Sequence, residues 1–113
     1  MARFVALALI AFLVACSSSS TATSGDRLAC TNVRKANQAV HTGSEDETVG
    51  FLSMATAARL ADDHRLVQAG QIMQEAANAV LKNDELAKPS EVLAAARIED
   101  ICVSLGVSTK ATP

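Results

Sequence analysis

Three cysteines are the residues of this 113-residue sequence best suited to covalent chemistry: Cys16, Cys30 and Cys102. A thiol can act as a nucleophile, bind a metal ion, form a disulfide or carry a covalent modification. Their wide spacing excludes the Cys-x-x-Cys arrangement of redox-active dithiols and of most structural zinc sites. What each thiol does must therefore depend on the segment around it.

The segment Asp62-Asp63-His64 combines carboxylates with an imidazole, and both groups can bind metal ions. Consecutive residues of a helix point in different directions, however, and His41, the only other histidine, has no helical spacing to this cluster. The acids at 45–47 have no evident apolar pocket that would separate their pKa values for acid–base catalysis. We therefore predict that both acidic segments cap helices and that the chain has no metal site.

Other forms of catalysis also lack a motif. Ser53 is not part of a Gly-x-Ser-x-Gly elbow, and the chain contains no phosphate-binding loop and no dinucleotide fingerprint. We predict a protein that is not an enzyme and that requires no cofactor.

The first sixteen residues have the order of an export signal. Arg3 precedes an apolar run from Phe4 to Val14, which is about half of the roughly 20 residues that a membrane-spanning helix needs. The junction Leu13-Val14-Ala15-Cys16 resembles the lipobox of bacterial lipoproteins. The resemblance implies that residues 1–15 are removed, and that Cys16 receives a diacylglycerol whose two acyl chains are fatty acids such as palmitate. It also implies a location on the cell membrane, facing the cell wall or periplasm. The alternatives are an ordinary signal peptide near a free cysteine, or a retained anchor.

Composition separates the rest of the chain into three parts. Residues 16–25 are rich in serine and threonine and are predicted to be a disordered tether, residues 26–106 a single domain, and residues 107–113 a disordered tail. Phe51 is the only aromatic residue after the signal, and the net charge of −2 becomes −3 when Arg3 is removed. The near absence of aromatic residues argues against stacking on single-stranded nucleic acid, and the negative charge argues against a polyanion or an acidic lipid headgroup as partner.

Apolar periodicity predicts four helices and no strand, hence an all-α up-down bundle. The predicted helices run from about Asp26 to His41, Ser44 to Asp62, Leu66 to Leu81 and Ser90 to Gly106. Gly43 is predicted to end the first helix, and Ser44 with Glu47 has the capping-box pattern that opens the second. Their predicted core positions are Ala29, Val33, Ala36, Val40, Val49, Phe51, Leu52, Ala55, Ala58, Leu66, Ala69, Met73, Ala76, Val80, Ala94, Ile98, Ile101 and Leu105. The sequence leaves open whether the second and third helices are continuous, although Arg59 and Asp62 on the continued stripe favour a break.

Alanine dominates these faces, so the core should bury little apolar area. A small domain with such a core usually needs a covalent cross-link for stability. Cys30 lies near the start of the first helix and Cys102 near the end of the last, two ends that share one pole of an up-down bundle. Export removes the reducing buffer of the cytosol, so we predict a Cys30–Cys102 disulfide. The alternative is a pair of buried free thiols.

Because the chain has a predicted lipid anchor and a helical domain but no catalytic motif, we predict a membrane-tethered binding or scaffolding module whose partner is an envelope protein. The start of the first helix, Cys30-Thr31-Asn32-Val33-Arg34, and the cysteine in the last helix make the chain similar to small helical lipoproteins of actinobacteria and their prophages. That resemblance implies a role such as blocking superinfection at the envelope. A second hypothesis is a carrier of a small apolar ligand, against which the alanine-rich, closely packing faces argue.

Overall fold

The computed structural model describes residues 22–110 and contains four α-helices in this range. They are α1 (Ser24–His41), α2 (Glu47–Arg59), α3 (His64–Leu81) and α4 (Lys88–Ser104), with a short 3₁₀ helix at Glu85–Ala87. No strand occurs within 22–110, so the predicted all-α bundle is confirmed. None of the described helices combines the length and the apolarity required to span a bilayer. The predicted signal peptide and Cys16 lie outside the described residues.

The start of α1 differs from the prediction. The helix begins at Ser24, two residues earlier than expected, because Thr23 and Asp26 form a capping box. The Thr23 hydroxyl accepts a hydrogen bond from the Asp26 amide at 3.1 Å, and an Asp26 carboxylate oxygen lies 3.4 Å from the Thr23 amide. Ala22 is also buried. The predicted tether boundary at residue 25 was therefore too late, since residues 22–25 belong to the folded unit.

The turn between α1 and α2 contains a second correction. Gly43 ends α1 with a φ of +79°, which glycine adopts without strain, as the sequence predicted. Ser44, predicted to cap α2, instead donates its hydroxyl to the Ala39 carbonyl at the end of α1. Asp46 is the actual cap, since its side chain accepts from the Thr48 amide, and α2 consequently begins at Glu47.

A break separates α2 from α3, as the polar residues on the continued stripe indicated. α2 ends at Arg59 and Asp63 caps α3 by accepting from the Arg65 amide at 2.8 Å. Helix α4 begins at Lys88, two residues before the predicted start. Pro89 lies in its first turn, where a missing amide hydrogen leaves no helical hydrogen bond unmade.

The core is built from small side chains at close helix contacts. Ala55, Ala58 and Ala69 are fully buried, and they pack with the larger Leu66, Met73 and Ile98. The α2 and α3 backbones approach closely at Gly70, because a Cβ atom there would lie 2.9 Å from the Ala55 carbonyl and 3.0 Å from the Ala58 methyl. Close packing of alanine-rich faces is therefore confirmed for this helix pair.

The segment after α4 follows α1 instead of leaving the domain. Thr109 is buried, and its carbonyl accepts a hydrogen bond from the Asn37 side chain at 2.9 Å. Val107 is partly buried against the core. The predicted disordered tail thus began too early, and residues 107–110 are part of the fold because a backbone group there has a specific partner on α1.

Cys30 and Cys102 lie at disulfide-bonding distance, as predicted, with their Cα atoms 5.8 Å apart. Both side chains are fully buried. The main backbone contacts of the bundle join α1 to α2, α2 to α3 and α3 to α4. The disulfide therefore connects the first and last helices, which are far apart in the chain.

Candidate binding surface

The Asp62-Asp63-His64 segment is a helix start in the structure. Asp63 caps α3 and forms an ion pair with Arg65 at 2.9 Å. The hydrogen bond from the Arg65 side chain lowers the pKa of Asp63, which favours its charged form. His64 is exposed at the first position of α3. Within 22–110 no cluster of three histidine, cysteine or carboxylate side chains could hold a metal ion.

Asp26 makes several hydrogen bonds that join two parts of the fold, and the sequence pattern did not predict this role. One oxygen of its buried carboxylate accepts hydrogen bonds from the backbone amides of Asp62 and Asp63, at 3.0 and 2.9 Å. The Thr23 hydroxyl also donates to Asp62, at 2.6 Å. Asp26 therefore stabilises the start of its own helix and the loop that precedes α3. The pattern Thr23-x-x-Asp26 could have indicated a helix cap. The contact of Asp26 with a loop 36 residues away could not be predicted from the sequence.

Glu91 is the second unpredicted polar residue in the interior. It lies in the first turn of α4, its side chain is only 1% exposed, and its Oε1 atom has no hydrogen-bond partner. Burial raises the pKa of its carboxyl group, and the carboxylates of Glu47 and Asp46 raise it further. Lys88 and the Thr48 hydroxyl act in the opposite direction. Glu91 thus faces the start of α2, and no described group neutralises it fully.

The outer surface between α3 and α4 contains an open groove of about 510 Å³. Its apolar walls include Ile72 of α3 and Leu93 of α4, which are 52% and 70% exposed. Arg97 and Asp100 follow on the α4 side. An apolar depression beside charges of both signs can bind an apolar protein surface and orient it through polar contacts. The sequence does not indicate this groove, because Leu93 falls outside the apolar stripe that defines the core face of α4.

Comparisons of the chain with protein-family models, with curated proteins and with solved structures find no match.

Proposed function

We propose that the chain is a lipid-anchored lipoprotein of the bacterial cell envelope that acts as a non-enzymatic binding module. The observation that carries the proposal is the sequence Leu13-Val14-Ala15-Cys16 after a charged and then apolar N-terminus. Two acyl chains attached at Cys16 would hold the protein stably at a membrane, because each buried CH₂ contributes about 0.8 kcal/mol.

The distance between the anchor and the fold supports a module held at the membrane surface. Ser24, the start of α1, is the eighth residue after Cys16. Even fully extended, eight residues span at most about 28 Å. The lipid-anchored bundle consequently works within about one protein diameter of the bilayer.

The cysteine pairing supports an extracytoplasmic location. Cys30 and Cys102 lie at bonding distance in a small domain with an alanine-rich core. Disulfides persist in oxidising compartments and are rare in the cytosol, and small exported domains use them to compensate for a thin core.

The groove between α3 and α4 is the surface that we assign to the partner. It exposes Ile72 and Leu93 beside Arg97 and Asp100, a combination that suits an envelope protein presenting an apolar ridge with polar flanks. Because the groove is open and shallow, it fits a protein surface better than it fits an enclosed apolar ligand.

Substitution of the proposed lipidation site tests the anchor. In cells fed a labelled fatty acid, the wild-type protein should carry the label and be found in the membrane fraction. Cys16→Ser should abolish the labelling and leave the protein unprocessed or released. The variant Ser17→Ala provides a matched control, since it changes a neighbouring residue and should retain the label. Equal labelling of wild type and Cys16→Ser would contradict the proposal.

A pair of surface substitutions tests the groove. Crosslinking in intact cells should give a defined adduct with an envelope protein, and Leu93→Ser should reduce its yield about ten-fold by removing the apolar wall. Leu60→Ser is the matched control, because Leu60 is 76% exposed but lies in the α2–α3 loop, outside the groove. An adduct that survives Leu93→Ser, or that is lost equally in both variants, would remove the groove from the proposal.

A further inference from the structure

We propose that the outer face of α1 binds the anionic phospholipid surface of the membrane in which the protein is anchored. The proposal rests on the lipid anchor argued above and adds an orientation to it: α1 lies against the bilayer. Its basis is the distribution of charge on the described surface.

The exposed charged residues of α1 are all basic. Arg27, Arg34 and Lys35 are all exposed, and their spacings of seven and eight residues place them on one side of a helix, along about 12 Å of its axis. Thr31 and Gln38 lie on the same side, and with Arg34 and Lys35 they surround a shallow depression. The single carboxylate of α1, Asp26, is buried and is used by the loop before α3. The outer face of α1 thus carries three cations and no anion.

The remaining helices have the opposite balance. Eleven of the twelve acidic residues of the chain lie between positions 45 and 100, together with only five of its ten basic residues. The small net charge of −2 therefore hides a separation of charge between α1 and the other three helices. This separation weakens the argument from net charge against an acidic lipid as partner, since a surface responds to the face presented to it.

The cations of α1 are not neutralised within the fold. Among residues 22–110 the ion pair within 4 Å joins Arg65 to Asp63 and involves none of the three cations Arg27, Arg34 and Lys35. Leu28 is 62% exposed next to Arg27. Exposed apolar and basic side chains along one helix are the combination that binds the interface of an anionic bilayer.

The weak attraction of three cations is enough for membrane binding because α1 lies close to the proposed lipid anchor in the chain. Each Lys or Arg near an anionic surface favours binding by about five-fold, so three residues supply on the order of 100-fold. That is weak for a protein in free solution. A lipid at Cys16 keeps α1 within about 28 Å of the surface and converts docking into an intramolecular step with a high effective concentration.

Chemical reactivity of one lysine tests the proposed orientation. Lipidated full-length protein is reconstituted in vesicles of phosphatidylcholine alone or with about 30% phosphatidylglycerol, and amine acylation is followed by mass spectrometry. Lys35 should react at least about five-fold more slowly on the anionic vesicles, and 0.5 M NaCl should restore its reactivity. Lys82, exposed at the end of α3, serves as the internal reference and should react equally on both.

Paired variants connect the protection to the α1 face. Arg27→Gln with Arg34→Gln should abolish the protection of Lys35, whereas Arg59→Gln with Lys88→Gln removes the same charge elsewhere and should leave it intact. Equal reactivity of Lys35 on both vesicles in protein that carries lipid would overturn the inference. Protection in intact cells but not on vesicles would also overturn it, and would assign the face to an acidic partner other than lipid. Protein that lacks lipid by mass and fails to enter either vesicle would instead contradict the proposed anchor.

Discussion

At the scale of single residues, the two buried carboxylates have opposite environments. Asp26 accepts backbone hydrogen bonds from the loop before α3, which satisfies its charge. Glu91 is buried near Glu47, and one of its oxygens has no partner. Burying a carboxyl group without full compensation disfavours its ionised form. Ionisation of the Glu91 carboxyl group therefore lowers the stability of the fold.

The pH dependence of unfolding should report on Glu91. Because its folded pKa is raised above the ordinary value of 4.5, its favourable contribution is complete below that pH and is lost as the pH rises through the folded pKa. Glu91→Gln, which cannot ionise, should raise the urea midpoint relative to wild type at pH 7.5 and should lose that advantage near pH 4.5. The groups that face Glu91 are Asp46 and Glu47 at the start of α2, with Thr48, and Lys88 on its own helix.

Glu75→Gln is the matched control for this measurement. Glu75 is an exposed carboxylate of α3, so its substitution should shift the midpoint by a similar small amount at both pH values. If the difference between Glu91→Gln and wild type were the same at pH 4.5 and pH 7.5, Glu91 would not titrate in the way its burial indicates.

At the scale of elements, periodicity predicted the core of α3 well and that of α2 less well. Leu66, Ala69 and Met73 are fully buried, as predicted. In α2, Val49 is 43% exposed although it was placed in the core, and Met54 was not predicted although it is 1% exposed. The reason is that α2 carries apolar residues around most of its circumference, so its sequence does not define which side faces the bundle.

Helix boundaries depended on groups that the local pattern does not show. The Thr23–Asp26 box moved the start of α1 into the predicted tether, and Asp46 replaced Ser44 as the cap of α2. In each case several residues with capping ability were neighbours in the sequence, and tertiary contacts selected among them. Asp26 illustrates this, since its carboxylate also holds the loop before α3.

The candidate surfaces were the least predictable features of the chain. Both the α3–α4 groove and the basic face of α1 consist of residues that remain outside after the helices have packed. No sequence motif marks Leu93 or Leu28 as a surface residue. Their exposure depends on how the helices pack in the assembled bundle. In contrast, Cys30 and Cys102 could be paired from the sequence, because helix order and compartment together restrict where two cysteines can meet.

At the scale of the whole molecule, connectivity explains why one covalent link has a large effect. Each helix packs mainly on its neighbours in the chain, so α1 and α4 are the outer members of the series. Between these two, Asn37 donates to Glu99 at 3.0 Å, and Cys30 and Cys102 meet at the pole. The chain end also returns to α1 through the bond from Asn37 to Thr109. The disulfide therefore closes the bundle where few other backbone contacts do so.

Removing the disulfide should destabilise the domain strongly. The bridge spans a sequence separation of 72 residues, and closing a loop of that size restricts the unfolded chain by about 4 kcal/mol in the entropic model. A net stability of about 5–15 kcal/mol is typical of small domains. The variant Cys30→Ala with Cys102→Ala should accordingly lose a large part of its free energy of unfolding in urea, and wild type should lose a similar amount when a reductant is added.

The double variant also supplies the control for reduction, because a reductant should not change its stability further. Thiol counting on the denatured, unreduced lipidated protein should find no free thiol, since Cys16 is blocked by lipid and the other two cysteines are bonded. A count of two would refute the disulfide. A wild-type midpoint insensitive to complete reduction would instead show that close packing of the alanine-rich faces and the contacts of Asn37 suffice to hold α1 against α4.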